Sequence, residues 1–191
     1  MTIAWDAAWV SAGVVALAEV GDKTQLLALV LAARYRRPVP VILGILAATL
    51  LNHGAAAGLG YALASLVALP AFQVAVGVGF LAMAGWALLP DRPDPYATRR
   101  SLGSVFATTL VAFFLVEIGD KTQVATTLLA ARFHDIAWVT LGTTAGMMAA
   151  NVPAVLLGGA VCRAVPLRIV RIAAAVLFAA LGAWVLVAAL A

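Results

Sequence analysis

The chain has 191 residues, of which 65% are hydrophobic and 10% charged, with a formal net charge of +4; an ordinary soluble domain is about half apolar and about a quarter charged. Water is therefore not its main solvent, and at about 20 apolar residues per spanning helix the length holds six spans, short connections and no soluble catalytic domain. The excess of basic residues reads as a topology signal rather than a nucleic-acid surface, and a single cysteine, Cys162, excludes an internal disulfide and a thiolate metal site.

Taken in chain order, the apolar runs predict helical spans over 4–34, 39–66, 71–89, 101–132, 137–164 and 167–190. The opening Met-Thr-Ile-Ala-Trp-Asp has no basic n-region, so the first span is expected to be retained rather than cleaved as a signal peptide. The breaks are Arg36-Arg37-Pro38, Leu69-Pro70, the run from Pro90 to Pro95, His134-Asp135 and Val165-Pro166. They divide the chain into a first three-helix unit over 1–89, a linker over 90–100 expected on the cytoplasmic side, and a second unit over 101–191.

Arginines fall on alternate connections. Arg34, Arg36 and Arg37 follow the first span, Arg92, Arg99 and Arg100 the third, and Arg163, Arg168 and Arg171 the fifth, against Arg132 alone after the fourth and none after the second. By the positive-inside rule both termini are expected outside the cytoplasm. Trp5, Trp9, Trp86, Trp138 and Trp184 lie near predicted helix ends, where they are expected to act as interfacial anchors.

The two units repeat. Ala18-Glu19-Val20-Gly21-Asp22-Lys23-Thr24-Gln25 recurs as Val116-Glu117-Ile118-Gly119-Asp120-Lys121-Thr122-Gln123, and the same offset aligns Leu31-Ala32-Ala33-Arg34 with Leu129-Ala130-Ala131-Arg132. A one-residue slip then aligns Asn52 with Asn151. Each unit has an odd number of spans, so the second is expected to cross the membrane in the opposite sense. The expected fold is thus an all-α integral membrane protein of six transmembrane helices in two inverted-topology repeats, with a site near the midplane between them.

The motif is deep. Glu19 lies ten residues beyond Trp9, roughly 15 Å at helical rise in a hydrocarbon core about 30 Å thick. In a regular helix Asp22 and Lys23 flank Glu19 on one face, Thr24 points largely away, and Glu19 with Lys23, like Glu117 with Lys121, can pair one turn apart. Gly21 and Gly119 let the backbone open or another helix approach. Burying these charges is costly unless they are paired or solvated by an ion. Together the motifs carry four carboxylates and the only two lysines of the chain, a net −2 that matches one divalent cation.

The oxygen donors, with no His or Cys near the motif, suit hard cations such as Mn²⁺, Ca²⁺ or Mg²⁺ and do not rank them. Carboxylates in a low dielectric can also take up protons when a cation leaves, so cation-for-proton exchange follows. Asn52 and Asn151 can donate interhelical hydrogen bonds or lend a carbonyl oxygen, and Gln25 and Gln123 can do either. Thr24 and Thr122 can bond back to their own helix. His53 has no counterpart in the second unit and reads as a packing or gating residue, and His134 as an exposed loop residue. Gly54 with Gly58, and Gly142 with Gly146, have the small-xxx-small spacing of closely packed helices.

At Glu19-Val20-Gly21-Asp22-Lys23-Thr24 and Glu117-Ile118-Gly119-Asp120-Lys121-Thr122 the sequence resembles the GDT-type cation transporters, a family with two copies of this motif on inversely oriented halves. The resemblance covers essentially the whole chain. It implies that Glu19, Asp22, Glu117 and Asp120 form the cation site, supported by Lys23, Thr24, Lys121 and Thr122, with Mn²⁺ or Ca²⁺ as transported substrate rather than cofactor. The chain starts close to its first span and its linker is short and mixed in charge, so the bacterial, inner-membrane manganese-exporter branch is the expected match. A homo-oligomer is compatible with this reading. Two other classes compete with it. An intramembrane aspartyl enzyme would use Asp22 and Asp120 as a dyad, and an exporter of organic solutes would need a roomier, aromatic-lined pocket than Phe113 and Phe114 suggest.

Overall fold

The computed structural model describes residues 2–66, 70–89, 103–157 and 167–190. The linker over 90–100, with Arg92, Arg99 and Arg100, lies outside the described residues, as do Leu69, Cys162, Arg163 and the Val165-Pro166 break. The described residues form helices throughout: α1 (Thr2–Glu19), α2 (Lys23–Tyr35), α3 (Pro38–Leu66), α4 (Pro70–Ala87), α5 (Val105–Glu117), α6 (Lys121–Phe133), α7 (Ile136–Leu157) and α8 (Leu167–Leu190).

Among the described residues, α3, α7 and α8 are each long and apolar enough to cross a membrane, while α4 and α5 are shorter apolar helices. Large apolar side chains such as Leu43, Leu59, Leu141 and Val187 are exposed along them, a surface that lipid, not water, accommodates. The chain is a membrane protein.

The first and fourth predicted spans are not continuous helices, which corrects the sequence expectation. Each is broken at its motif into two shorter helices, α1–α2 and α5–α6. The second break is a type II turn: Ile118 has φ −60° and ψ 119°, Gly119 has φ +74°, and Asp120 N–H donates to the Glu117 carbonyl at 3.0 Å. Gly21, at φ +80°, and the 3.0 Å bond from Asp22 N–H to the Glu19 carbonyl repeat the arrangement. Asp22 and Asp120 then stand in extended conformation as N-caps of α2 and α6. The local reason is in the motif, because only glycine takes the left-handed position without cost and Asp is a preferred N-cap residue.

Other boundaries follow ordinary capping rules. α2 and α6 end in left-handed Arg36 and His134, each donating its N–H to a carbonyl four residues back at 2.9 Å. Pro38 opens α3, and Asp135 Oδ1 accepts from Trp138 N–H at 2.9 Å before α7. α7 runs through Pro153.

Each broken span lies beside an unbroken helix of the other unit and runs in the same sense. Along α3, Gly44 sits against Thr109 and Phe106, Asn52 meets Phe114 and Glu117, and Gly60 sits against Thr127. Along α7, Gly142 and Gly146 sit against Ala8 and Ala12, Asn151 meets Glu19, and Val155 packs with Leu27, Ala28 and Leu31. The chain thus continues across each break in one direction.

Gly142 and Gly146 serve close packing as expected: a Cβ on either would strike a carbonyl of α1. Gly54 and Gly58 do not, since an added Cβ at Gly54 would only graze Thr140 at 3.9 Å and at Gly58 would meet nothing within 4 Å. In α3 the tight positions are Gly44 and Gly60, which fall on the face turned to α5 and α6.

Candidate functional site

The two breaks bring the motif acids into the protein interior, where Glu19 and Glu117 are fully buried and Asp22 and Asp120 are 2% exposed. Each glutamate is the last residue of its helix and each aspartate caps the next. The carbonyl end of one short helix and the amide end of another therefore face the motif, with partial negative and positive charge respectively.

The unbroken helices complete the surroundings by exchange between the units. Asn52 of α3 donates through Nδ2 to Glu117 Oε2 at 2.9 Å and to the Phe114 carbonyl at 3.1 Å. Asn151 of α7 donates through Nδ2 to Glu19 Oε1 at 3.1 Å and to the Met147 carbonyl at 3.1 Å. Both asparagines are buried and act as donors to the acids.

Thr24 does not point away from the acids as a regular helix would have it. It is buried, its hydroxyl donates to Glu19 Oε1, and it lies 3.4 Å from Asp22 Oδ2, because the break turns α2 relative to α1. Thr122 donates through both N–H and Oγ1 to Asp120 Oδ2, at 3.3 and 3.2 Å. Neither threonine hydroxyl is spent on its own helix backbone in these bonds; that back-bonding occurs one turn later, at Thr126 and Thr127.

Gln25 and Gln123 brace the turns. Their Oε1 atoms accept from Gly21 N–H at 2.8 Å and Gly119 N–H at 2.7 Å, and Gln25 Nε2 also donates to the Ala150 carbonyl at 3.0 Å. Their carbonyl oxygens thus hold the open backbone.

The lysines are arranged differently from the expected pairing within each motif. With the helix interrupted, Lys23 is no longer stacked one turn along from Glu19; instead its Nζ lies 2.9 Å from Asp120 Oδ1, in the other unit. Lys121 is 4% exposed and donates from Nζ to the Leu89 carbonyl at 2.9 Å.

Asp22, Asp120 and Glu117 all lie within electrostatic reach of Glu19. Among the described residues, no three His, Cys, Asp or Glu side chains stand close enough to hold one ion between them. The cleft at the first break, lined by Gly21, Asp22, Lys121, Arg171 and Phe178, measures about 10 Å³, the size of one water, against roughly 300 Å³ and more for small-molecule pockets. A groove of about 410 Å³ between α3 and α6 has walls such as Ala56, Leu59 and Leu128, with Gln123 and Thr127 its polar residues.

Two features escaped the sequence. Thr49, whose hydroxyl donates to Glu117 Oε1 at 3.3 Å, lies one turn before Asn52, a spacing that was available as a signal. Met147 touches Asn151, with Sδ 3.0 Å from Nδ2, at the corresponding turn of α7. His53 is fully buried, and neither ring nitrogen has a hydrogen-bond partner among the described residues. His134 is exposed, as expected of a loop residue. Of the tryptophans, Trp5 and Trp138 lie with ring centroids 5.0 Å apart, and the Arg132 guanidinium sits 4.4 Å from the centre of Trp184.

Residues 7–95 and 105–191 match the profile described as divalent cation/proton antiporter GDT1, one segment for each unit. The chain is 48% identical over 170 residues to a protein of Vibrio cholerae serotype O1 that bears the name of an inferred manganese exporter, with 88% of this chain and 84% of that protein covered. No solved structure matches. Both names are those of a transporter, not of an enzyme, and the chain belongs to the GDT1 family of divalent cation/proton antiporters.

Proposed function

We propose that the protein is a secondary transporter of the inner membrane that exports a divalent cation, Mn²⁺ foremost and Ca²⁺ second, from the cytoplasm in exchange for protons. Its six spans form two inverted three-helix repeats with both termini outside the cytoplasm, and Glu19, Asp22, Glu117 and Asp120 carry the ion. The observation that supports this best is the exchange of donors between the units: Asn151 holds Glu19, and Asn52 holds Glu117. Any motion of one unit against the other must then alter the surroundings of both acids.

In this reading, broken spans serve a transporter because a helix end offers backbone carbonyls to a cation where a continuous helix offers none. The cation meets carboxylate at the carbonyl ends of α1 and α5. Thr24 gathers Glu19 and Asp22 around one hydroxyl, while Lys23 bridges to Asp120 and supplies a positive charge that an arriving cation replaces. When the cation departs, protons neutralise carboxylates that would otherwise repel one another in a low dielectric, which couples export to proton entry. The relative's name supports Mn²⁺ as the ion, and the family description supports the proton.

An aspartyl dyad requires two carboxylates that share a proton, whereas Asp120 is engaged by the Lys23 ammonium. The cleft that reaches the motif acid Asp22 is too narrow for an organic solute, and the wider groove between α3 and α6 reaches Gln123 but none of the four acids. The deciding experiment is flux of Mn²⁺, Ca²⁺ and Mg²⁺ into proteoliposomes with and without a proton gradient. Mn²⁺ flux that drives opposite proton movement, and that is lost in Glu19→Gln, Asp22→Asn, Glu117→Gln and Asp120→Asn, is the expected result. Full transport by all four folded variants would overturn the site, and flux with no proton movement would overturn the coupling.

A further inference from the structure

The two acidic pairs are not equivalent, and the difference lies one turn before each asparagine. In α3 that position is Thr49, an oxygen donor 3.3 Å from Glu117 Oε1. In α7 the side chain four residues before Asn151 is Met147, fully buried, whose Sδ lies 3.0 Å from Asn151 Nδ2, while Met148 is the residue that aligns with Thr49 when the asparagines are matched. The same amide nitrogen donates to Glu19 Oε1 at 3.1 Å, so the sulfur and the carboxylate oxygen are neighbours of one atom. Beside them, Glu19 Oε2 and Asn151 Oδ1 are buried without a hydrogen-bond partner among the described residues. Buried polar oxygens are normally satisfied, and two unsatisfied ones, one on the Glu19 carboxylate and one on the amide bonded to it, suit a ligand that supplies positive charge.

Methionine in a core usually fills gaps among apolar side chains. Here its sulfur instead abuts a polar amide that is bonded to a motif acid. The chemistry of such a neighbour is specific. Carboxylate, carbonyl and hydroxyl oxygens do not distinguish Mn²⁺ from Ca²⁺ or Mg²⁺ by softness, whereas a polarisable thioether favours transition-metal ions over alkaline-earth ions.

Resting on the reading of Glu19 as a cation ligand, we propose that Met147 Sδ is a soft ligand beside Glu19 Oε2 and Asn151 Oδ1 and sets the preference for Mn²⁺ over Ca²⁺ and Mg²⁺. The Glu117 side, with Thr49 in place of the thioether, is the unselective hard-oxygen half. A cation entering between Glu19 and Asn151 takes the place of the amide as the sulfur's neighbour, so that discrimination occurs on the α1–α7 side.

The test compares wild-type, Met147→Leu, Met148→Leu and Glu19→Gln in proteoliposomes, measuring Mn²⁺ and Ca²⁺ flux and inhibition of Mn²⁺ flux by the thiophilic ion Cd²⁺. Leucine conserves the volume of methionine and is well tolerated in cores. In Met147→Leu the Mn²⁺-to-Ca²⁺ flux ratio and the potency of Cd²⁺ should each fall by about tenfold, a usual scale for altering the surroundings of a bound metal; Met148→Leu should match wild-type. A purely structural effect would lower flux of both ions together and leave the ratio unchanged. An unchanged ratio and unchanged Cd²⁺ potency in Met147→Leu, with flux lost in Glu19→Gln, would overturn the role of the sulfur alone. Full flux in Glu19→Gln would overturn the site assignment and the sulfur's role with it.

Discussion

At the scale of single residues, the chemistry turns on donors that come from the opposite unit. Asn151→Ala and Asn52→Ala each remove a hydrogen bond to a buried carboxylate, a loss of about 1–3 kcal/mol, with Glu19 still held by Thr24 and Glu117 by Thr49. Thermal unfolding in detergent should show a lowered midpoint for both variants, and Mn²⁺ binding should weaken by roughly tenfold or more. Lys23 offers a sharper contrast, because it faces Asp120 across the two units. Lys23→Met should destabilise the protein by about 3 kcal/mol by stranding a buried carboxylate. Adding Asp120→Asn should recover much of that stability without restoring transport, which unfolding and flux measurements on the same double variant would separate. The residue types at these positions were legible from the duplicated motif. Their partners were not, since a hydrogen bond between residues 132 apart in sequence leaves no trace in local pattern.

At the scale of elements, the motif is a device for interrupting a helix. A Cβ on Gly119 would meet nothing within 4 Å, yet its φ of +74° is one that other residues rarely adopt. Gly119→Ala should therefore cost about 1–2 kcal/mol through backbone strain alone, read as a lower melting temperature together with reduced flux. Gly58→Ala, in open space and without positive φ, should be silent in both measurements, while Gly146→Val should prevent stable assembly because α1 occupies that space. The sequence showed two apolar runs with a glycine inside each motif, and apolar periodicity continues through the break because both short helices bury a face. Hydrophobic pattern therefore reported the span, and backbone dihedrals alone reported its interruption.

At the scale of the whole molecule, each broken span is packed beside an unbroken helix from the other unit. Arg36 and His134 occupy corresponding positions in the two units, each the left-handed cap that ends a broken span. If the units are inverted, these two caps emerge on opposite faces of the membrane. In a Cys162→Ser background, Arg36→Cys should react with an impermeant maleimide only from the cytoplasmic side, and His134→Cys only from the outside. Labelling of both from one side would contradict the inverted arrangement while leaving the broken spans intact.

Composition and repeated local words were enough to show the solvent, the duplication, the motif acids and the family. The sequence also located the start of α3, where Arg36, Arg37 and Pro38 mark the boundary. Helix packing had to be seen before four features became visible: that the motif sits at a helix break, that Lys23 serves Asp120 in the other unit, that Gly44 and Gly60 rather than Gly54 and Gly58 are the tight contacts, and that Glu117 and Glu19 have unlike neighbours in Thr49 and Met147. The physical reason is common to all four. Each depends on which face of a helix meets which partner, and in a chain that is apolar on nearly every face, that choice is made by packing between units rather than by pattern along them.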